Sequence, residues 1–536
     1  KTKLFVMEES FFILFALISP VFIVAQTADK SDWMGGYPEA CTSITVGKAA
    51  TFDGSVMTSH TDDSHRTRSW MDIVPPKKYS SGAVSKMYKR VQDNSRDMPA
   101  YAHNEIGSIP QVAQTNGFIN TAYPSMNDKQ LAMGESTFGG RDELQSDSGL
   151  IDCQRLCLLL LERCKTAREA IMVSGELLEK YGWNDVGECL TISDPKEVWH
   201  LEIVGPGAGK VGAIWVAQRV PDHHLSVNAN ASTIKEIDLE NSDYFIASKN
   251  ILEIAQQKGY WTPSEGPFRF NYAFAPHSRT SMASRRREWR VFDLAAPSLG
   301  LDPNASDYPF SVKPDSLITL YKMVSMFKDY YQGTEFDVTK NLLVTDENGK
   351  SVISPLANPH MPYDALKLHR INGGWGELGE RTIARWYTMY GTIIQSRDWL
   401  PDMIGGVEWL AMDNMATSIY IPVYAGTTDL PKSYKTPGRD GFTHESAWWA
   451  FNRMSTLSAQ RWGDMHHDVD AVFNPMQKEL FENVEQFEKD ALELYKKNPK
   501  KAQEKLTSYS LEWGNKVVEK AWKIGNDLWT KYDEKF

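Results

Sequence analysis

The sequence contains no GxxxxGK[ST], no HExxH and no GxSxG. The phosphate-cradling loop, the helical zinc pair and the serine elbow are therefore not available to it as recognisable devices. A long basic run is also missing: Arg285-Arg286-Arg287 is the longest block of positive charge, and the formal net charge is −11. Nucleic acid and anionic membrane both reward a basic surface, so neither is expected as a partner. Cysteine is scarce, with five in 536 residues. An odd number of thiols cannot pair completely, and no CxxC or nearby histidine set completes a zinc site. There is no internal repeat and no low-complexity tract.

What is present is an ordinary globular composition, 42% hydrophobic and 24% charged. The length alone would suit several domains, but α/β enzymes with large sheets often exceed that size as one unit. Near the start, Phe11 to Ala25 is apolar without a charge; Lys1 and Lys3 precede it, and Glu8 and Glu9 stand directly before it. The run is too short to span a bilayer comfortably and fits a secretory core, with Ile23 and Ala25 at the −3 and −1 positions of a cleavage site. Residues 1–25 are expected to be a signal peptide and 26–40 a propeptide or spacer. The expected product is periplasmic or secreted, without stable membrane insertion.

From Cys41 the pattern changes. Cys41–Val46 and Ser55–Ser59 alternate around Phe52-Asp53-Gly54 and predict a β-hairpin. Short strands and turns follow over 101–138. Ile151–Cys164 predicts an apolar helix, and Thr166-Ala167-Arg168-Glu169 is a capping box that opens a second helix ending at Gly182. Cys189–Ser193 and Val198–Val204 flank an Asp194-Pro195-Lys196 turn, and Ala213–Val220 and Leu225–Ala229 continue the strands. Residues 250–375 read as loops and short helices shaping a cleft. Gly391–Arg397 and Thr417–Val423 predict two more strands. Strands, then two helices, then strands point to the α+β class, a sheet with helices packed on a face. The tail from Val469 is helical and broken at Pro499, and its alternating charges predict a solvated face. The expected division is a catalytic domain over 41–468 and a helical segment over 469–536.

Which residues carry chemistry is less evident from spacing. His223-His224 and His466-His467 are adjacent pairs whose side chains diverge, so surface or core positions are expected. Cys153, Cys157 and Cys164 share one helical face with leucine and isoleucine and are expected in the core; whether they or Cys189 pair stays open. Cys41 stands apart, behind a small residue at the start of the first strand.

CTSITVGKAATFDGSVMTSHTDD resembles the opening of the bacterial dipeptidase family of N-terminal-nucleophile (Ntn) cysteine hydrolases, secreted branch. LLLERCKTAREA, ISDPKEVWHLEIVG, VAQRVPDHHLSVNAN, RRREWRV and GTIIQSRDWLPDMIGGVEWLAMDNMATSIYIPVYAG resemble the same family, in order from Cys41 to Gly426. The resemblance implies an αββα four-layer sandwich. It also implies self-cleavage before Cys41, so that the thiol is the nucleophile and the new α-amino group, with an unperturbed pKa of about 7.7–8.0, is the base. No cofactor or metal is implied.

By the same resemblance Asp63 orients the terminal amine, and Asn230 donates a side-chain N–H to the oxyanion. His60 stands where many relatives have Arg, and Arg287 matches an Arg near the thiol, with Arg285 and Arg286 fitting nearly as well. Glu135 lies where bile-salt and penicillin amidases have a second oxyanion Asn. His60, Glu135 and Arg287 are accordingly expected to contact substrate. The absent Asn favours a dipeptidase acting on small peptides over an Ntn amidase acting on N-acyl conjugates. A catalytically inert surface binding protein is the third reading, and a homo-oligomer is left open.

Overall fold

The computed structural model describes residues 40–64, 70–93, 100–249, 251–360 and 380–535. The expected signal peptide, and all of the spacer but Ala40, lie outside the described residues. Twelve strands build two antiparallel sheets. In chain order they are β1 (Ala40–Val46), β2 (Val56–Asp63), β3 (Ala132–Gly139), β4 (Gly187–Ser193), β5 (Val198–Val204), β6 (Ile214–Arg219), β7 (Leu225–Asn228), β8 (Phe245–Ala247), β9 (Ser311–Val312), β10 (Thr388–Ser396), β11 (Val407–Met412) and β12 (Ile421–Tyr424). Seven form one sheet in the order β9-β7-β1-β2-β10-β11-β12, and five form the other in the order β8-β6-β5-β4-β3.

The expected first hairpin is there: β1 and β2 pair antiparallel, with Cys41 opposite Asp62 and Ala40 opposite Asp63. Sequence reading found β10 and β12 but not β11 between them, whose Val407-Glu408-Trp409-Leu410-Ala411-Met412 is buried throughout. A strand covered on both faces loses the alternation that marks a half-buried one. Thr417, expected in a strand, closes a 3-10 turn.

The helices that matter here are α1 (Cys153–Arg163), α2 (Ala167–Tyr181), α3 (Met282–Ala295), α4 (Ala447–Gln460), α5 (Trp462–Lys497) and α6 (Pro499–Lys531). The capping signals of α2 act as read: Thr166 accepts from the Glu169 N–H, and Gly182 at φ +78° ends the helix. Cys153, Cys157 and Cys164 are buried free thiols, as the helical face predicts. The tail is two long helices meeting at Asn498-Pro499, and the first of them starts already at Trp462.

The two sheets face one another. Ser43 Oγ donates to the Glu135 carbonyl at 2.9 Å, Thr45 Oγ1 meets His200 Nε2 at 2.9 Å, and Thr58 Oγ1 meets Thr191 Oγ1 at 2.8 Å. Helices α1 and α2 lie against the five-stranded sheet, while α3, α4 and α6 contact the seven-stranded one. Every residue of β1, β2, β10 and β11 is buried. No described helix is long and apolar enough to cross a membrane.

Candidate active site

Cys41 is the second residue of β1, at the sheet's centre, and is 4% exposed. Its three polar atoms meet three elements. The backbone N–H donates to Asn230 Oδ1 at 3.1 Å, the thiol donates to Glu135 Oε1 at 2.8 Å, and the carbonyl accepts from Arg287 Nη1 at 2.7 Å. The chain continues through Ala40, so the nitrogen is an amide.

Glu135 reaches the thiol because β3 can come close to β2. A Cβ on Gly134, the preceding residue, would strike the Ser59 carbonyl and lie 2.7 Å from Thr191 Oγ1. Only glycine fits between the sheets there. β3 is an edge strand, and the carboxylate of Glu135 also meets His60 Nε2 at 3.0 Å. His60 is set between Tyr123 and Tyr390, whose rings stand edge-on at 5.5 Å.

Burial alone would push Glu135 up and His60 down. Their mutual hydrogen bond and opposite charges outweigh it, so Glu135 lies below, and His60 above, its ordinary value. The pair is therefore carboxylate and imidazolium over the range between 4.5 and 6.5, the two ordinary values. Burial, then the charge of Glu135, pushes the Cys41 thiol well up, which keeps it protonated at rest. Glu188 on β4 is also driven well up by burial and by Glu135.

Asn230 follows the end of β7 with φ +60°, a left-handed conformation that asparagine tolerates better than most residues. It is tied down on every side. Its N–H donates to Ser136 Oγ at 2.9 Å, one side-chain N–H goes to the Thr137 carbonyl at 2.7 Å, and its carbonyl accepts from Ser284 Oγ.

Of the three consecutive arginines on α3, Arg287 is the one that reaches Cys41. Arg285 turns to the Ala305 carbonyl, and Arg286 to Pro303, Asn304 and Glu380. Arg287 also donates to the carbonyl of Ala229 and to Asn230 Oδ1, at 2.9 and 2.8 Å. Burial, with Arg381 nearby, lowers it to about 9, so it stays charged at neutral pH.

Asp63 sits apart from these contacts. Its carboxylate accepts from Arg381 and, at 2.5 Å, from Thr388 Oγ1. A bulge in β10 between Thr388 and Tyr390 gives both residues their places, Thr388 at Asp63 and Tyr390 at His60. Sequence reading missed Arg381, Thr388, Tyr123, Tyr390, Ser136 and Thr137. Arg381, Thr388, Tyr123 and Tyr390 come from segments far from Cys41 that only the fold brings here, while Ser136 and Thr137 directly follow Glu135 on β3.

Among the described residues, two groups could hold a metal ion: Cys41, His60 and Glu135, and Glu135, Cys153 and Glu188. In the first, the sulfur and imidazole nitrogen are already spent on hydrogen bonds to one carboxylate oxygen.

The remaining polar groups near the thiol, Asp62 and Asp63, add negative charge that further raises it. The site is thus a buried thiol held beside a carboxylate, with a charged arginine on its own carbonyl. Similar proteins include a probable dipeptidase of Latilactobacillus sakei, 26% identical over 79% of this chain and 82% of that one. Probable dipeptidase B of Lactococcus lactis is 25% identical over 89% and 95%, and dipeptidase A of Lactobacillus helveticus 24% over 80% and 83%. The family model described as Peptidase family C69 matches residues 40–474, a match that starts at the residue before the buried thiol and spans both sheets, and the chain belongs to that family.

Proposed function

We propose that the protein is a dipeptidase of the Ntn type, which works through the Cys41 thiol once the residues before it are removed. The observation that carries the reading is the set of contacts on Cys41, whose nitrogen, sulfur and carbonyl are each held by a separate element. The two facing sheets with helices against each fit the αββα sandwich of such enzymes. Residues 1–25 would direct export, and 26–40 would be lost on maturation.

Cleavage before Cys41 turns its amide into an amine at the position Asn230 Oδ1 already faces. An amine with pKa about 7.7–8.0 can take the thiol proton near neutral pH. The sulfur then bonds to the substrate carbonyl carbon, and the amine returns the proton to the leaving nitrogen as the C–N bond breaks. Water hydrolyses the resulting thioester to free the acid and the thiol. Asn230 carries two side-chain N–H groups; one is anchored on Thr137, and the second is the donor for the oxyanion. Arg287 fixes the carbonyl of Cys41 and so the direction of the thiol. Asp63, bound by Arg381 and Thr388, acts on β2 opposite the cleaved bond.

The test is a panel of free dipeptides and N-acyl amino acids, with Cys41→Ser as control. Dipeptides are expected to be cut, N-acyl conjugates to be poor substrates, and Cys41→Ser to be close to inactive because a hydroxyl ionises far less readily than a thiol. Preference for N-acyl conjugates would make it an amidase, and no turnover of either would leave a binding protein.

A further inference from the structure

Before the chain is cut, the base assigned to the mature enzyme does not exist, because the Cys41 nitrogen is bonded to Ala40. Yet cleavage needs the thiol proton removed. Among the described residues, the carboxylate of Glu135 lies within hydrogen-bond distance of that thiol.

We propose that Glu135 is the general base for removal of the segment before Cys41. Its Oε1 accepts the thiol hydrogen at 2.8 Å, and both side chains are buried. The proposal rests on the Ntn reading and assigns to Glu135 a step in maturation rather than in substrate binding.

The step balances as follows. Glu135 takes the thiol proton as Sγ bonds to the Ala40 carbonyl carbon, through a five-membered ring. The bond from that carbon to the Cys41 nitrogen breaks, and the carboxylic acid of Glu135 gives the proton to the departing nitrogen. The products are a thioester of Ala40 and a free Cys41 amine. Water, the co-reactant, hydrolyses the thioester, leaving the Ala40 carboxylate and the thiol.

His60 is a positioning residue in this scheme. It shares Glu135 Oε1 at 3.0 Å and holds the carboxyl ionised in a buried place. Among the described residues, the other titratable groups around Cys41 and Glu135 are Asp62 and Asp63 on β2, Glu188 and Cys189 on β4, Cys153 on α1 and Tyr390 on β10. Glu188 is driven well up by burial and by Glu135, while Glu135 is held down, so of the two Glu188 keeps its proton to higher pH.

The experiment follows cleavage of the full chain by intact mass, with melting temperature as the check on folding. Wild type is expected to be cut. Glu135→Gln, which keeps the size and loses the basicity, is expected to fold and to be cut at least ~100-fold more slowly at pH 7, the scale of general base catalysis. Its cleavage should recover as pH rises toward 10 and hydroxide replaces the carboxylate. Formate should restore cleavage to Glu135→Ala. In His60→Gln the acidic limb of the cleavage profile should move to higher pH, because the carboxyl loses the imidazolium that keeps it ionised. Equal cleavage of wild type and Glu135→Gln overturns the proposal. So does a folded Glu135→Gln that neither alkali nor, in Glu135→Ala, formate restores. A wild type that is active while uncut overturns the N-terminal-nucleophile reading itself, a separate outcome.

Discussion

Asn230 meets Cys41 through one oxygen, and that oxygen serves two donors, the Cys41 N–H and Arg287 Nη2. Its side-chain nitrogen gives one N–H to the Thr137 carbonyl. Its role in the transition state therefore rests on the second N–H, which can be tested separately from binding. Asn230→Ala is expected to lower kcat by about 10²–10³, the cost of one oxyanion donor, with KM little changed and the thiol still open to alkylation. A rise in KM alone would make it a substrate contact. Asp63 is less simple. The resemblance gave it the terminal amine, while in the uncut chain its oxygens are taken by Arg381 and Thr388. Removing one partner of a buried ion pair costs about 3–5 kcal/mol, so Asp63→Asn is a poor probe of catalysis. Cys41 itself was legible because a motif surrounds it. Arg287 was legible only as one of three neighbours, and the α3 geometry separates them.

Among the elements, β3 has the tightest tolerance. The closeness of its Gly134 to the backbone of Ser59 sets where Glu135 stands relative to the thiol. Gly134→Ala should push the sheets apart at that point, cost about 1–3 kcal/mol as overpacking does, and lower activity more than a surface change of equal cost. Urea unfolding together with kcat/KM would check both; unchanged activity at lowered stability would separate the approach of β3 from the chemistry. Sequence patterns placed most of these elements within a few residues. The hairpin β1–β2, the capped α2 and the strands β4 to β7 were readable because turns and caps mark their ends. β11 was not, since a fully covered strand has no alternation, and the long α5 was placed late because its start at Trp462 has no side-chain cap.

At the scale of the whole molecule, the two-sheet core was foreseeable from strands, helices and strands in turn, while the pairing of β1 with β7 and of β2 with β10 was not. Nothing in a local window says that residues near 228 and 390 share a sheet with Cys41. That long-range pairing is what makes the site. Under the proposed Ntn mechanism the site becomes active only when the bond before Cys41 is broken and its amine is free. N-terminal sequencing of active protein, with intact mass in step with activity, should read Cys41-Thr42-Ser43. Fully active protein that still carries Ala40 ahead of Cys41 would contradict it.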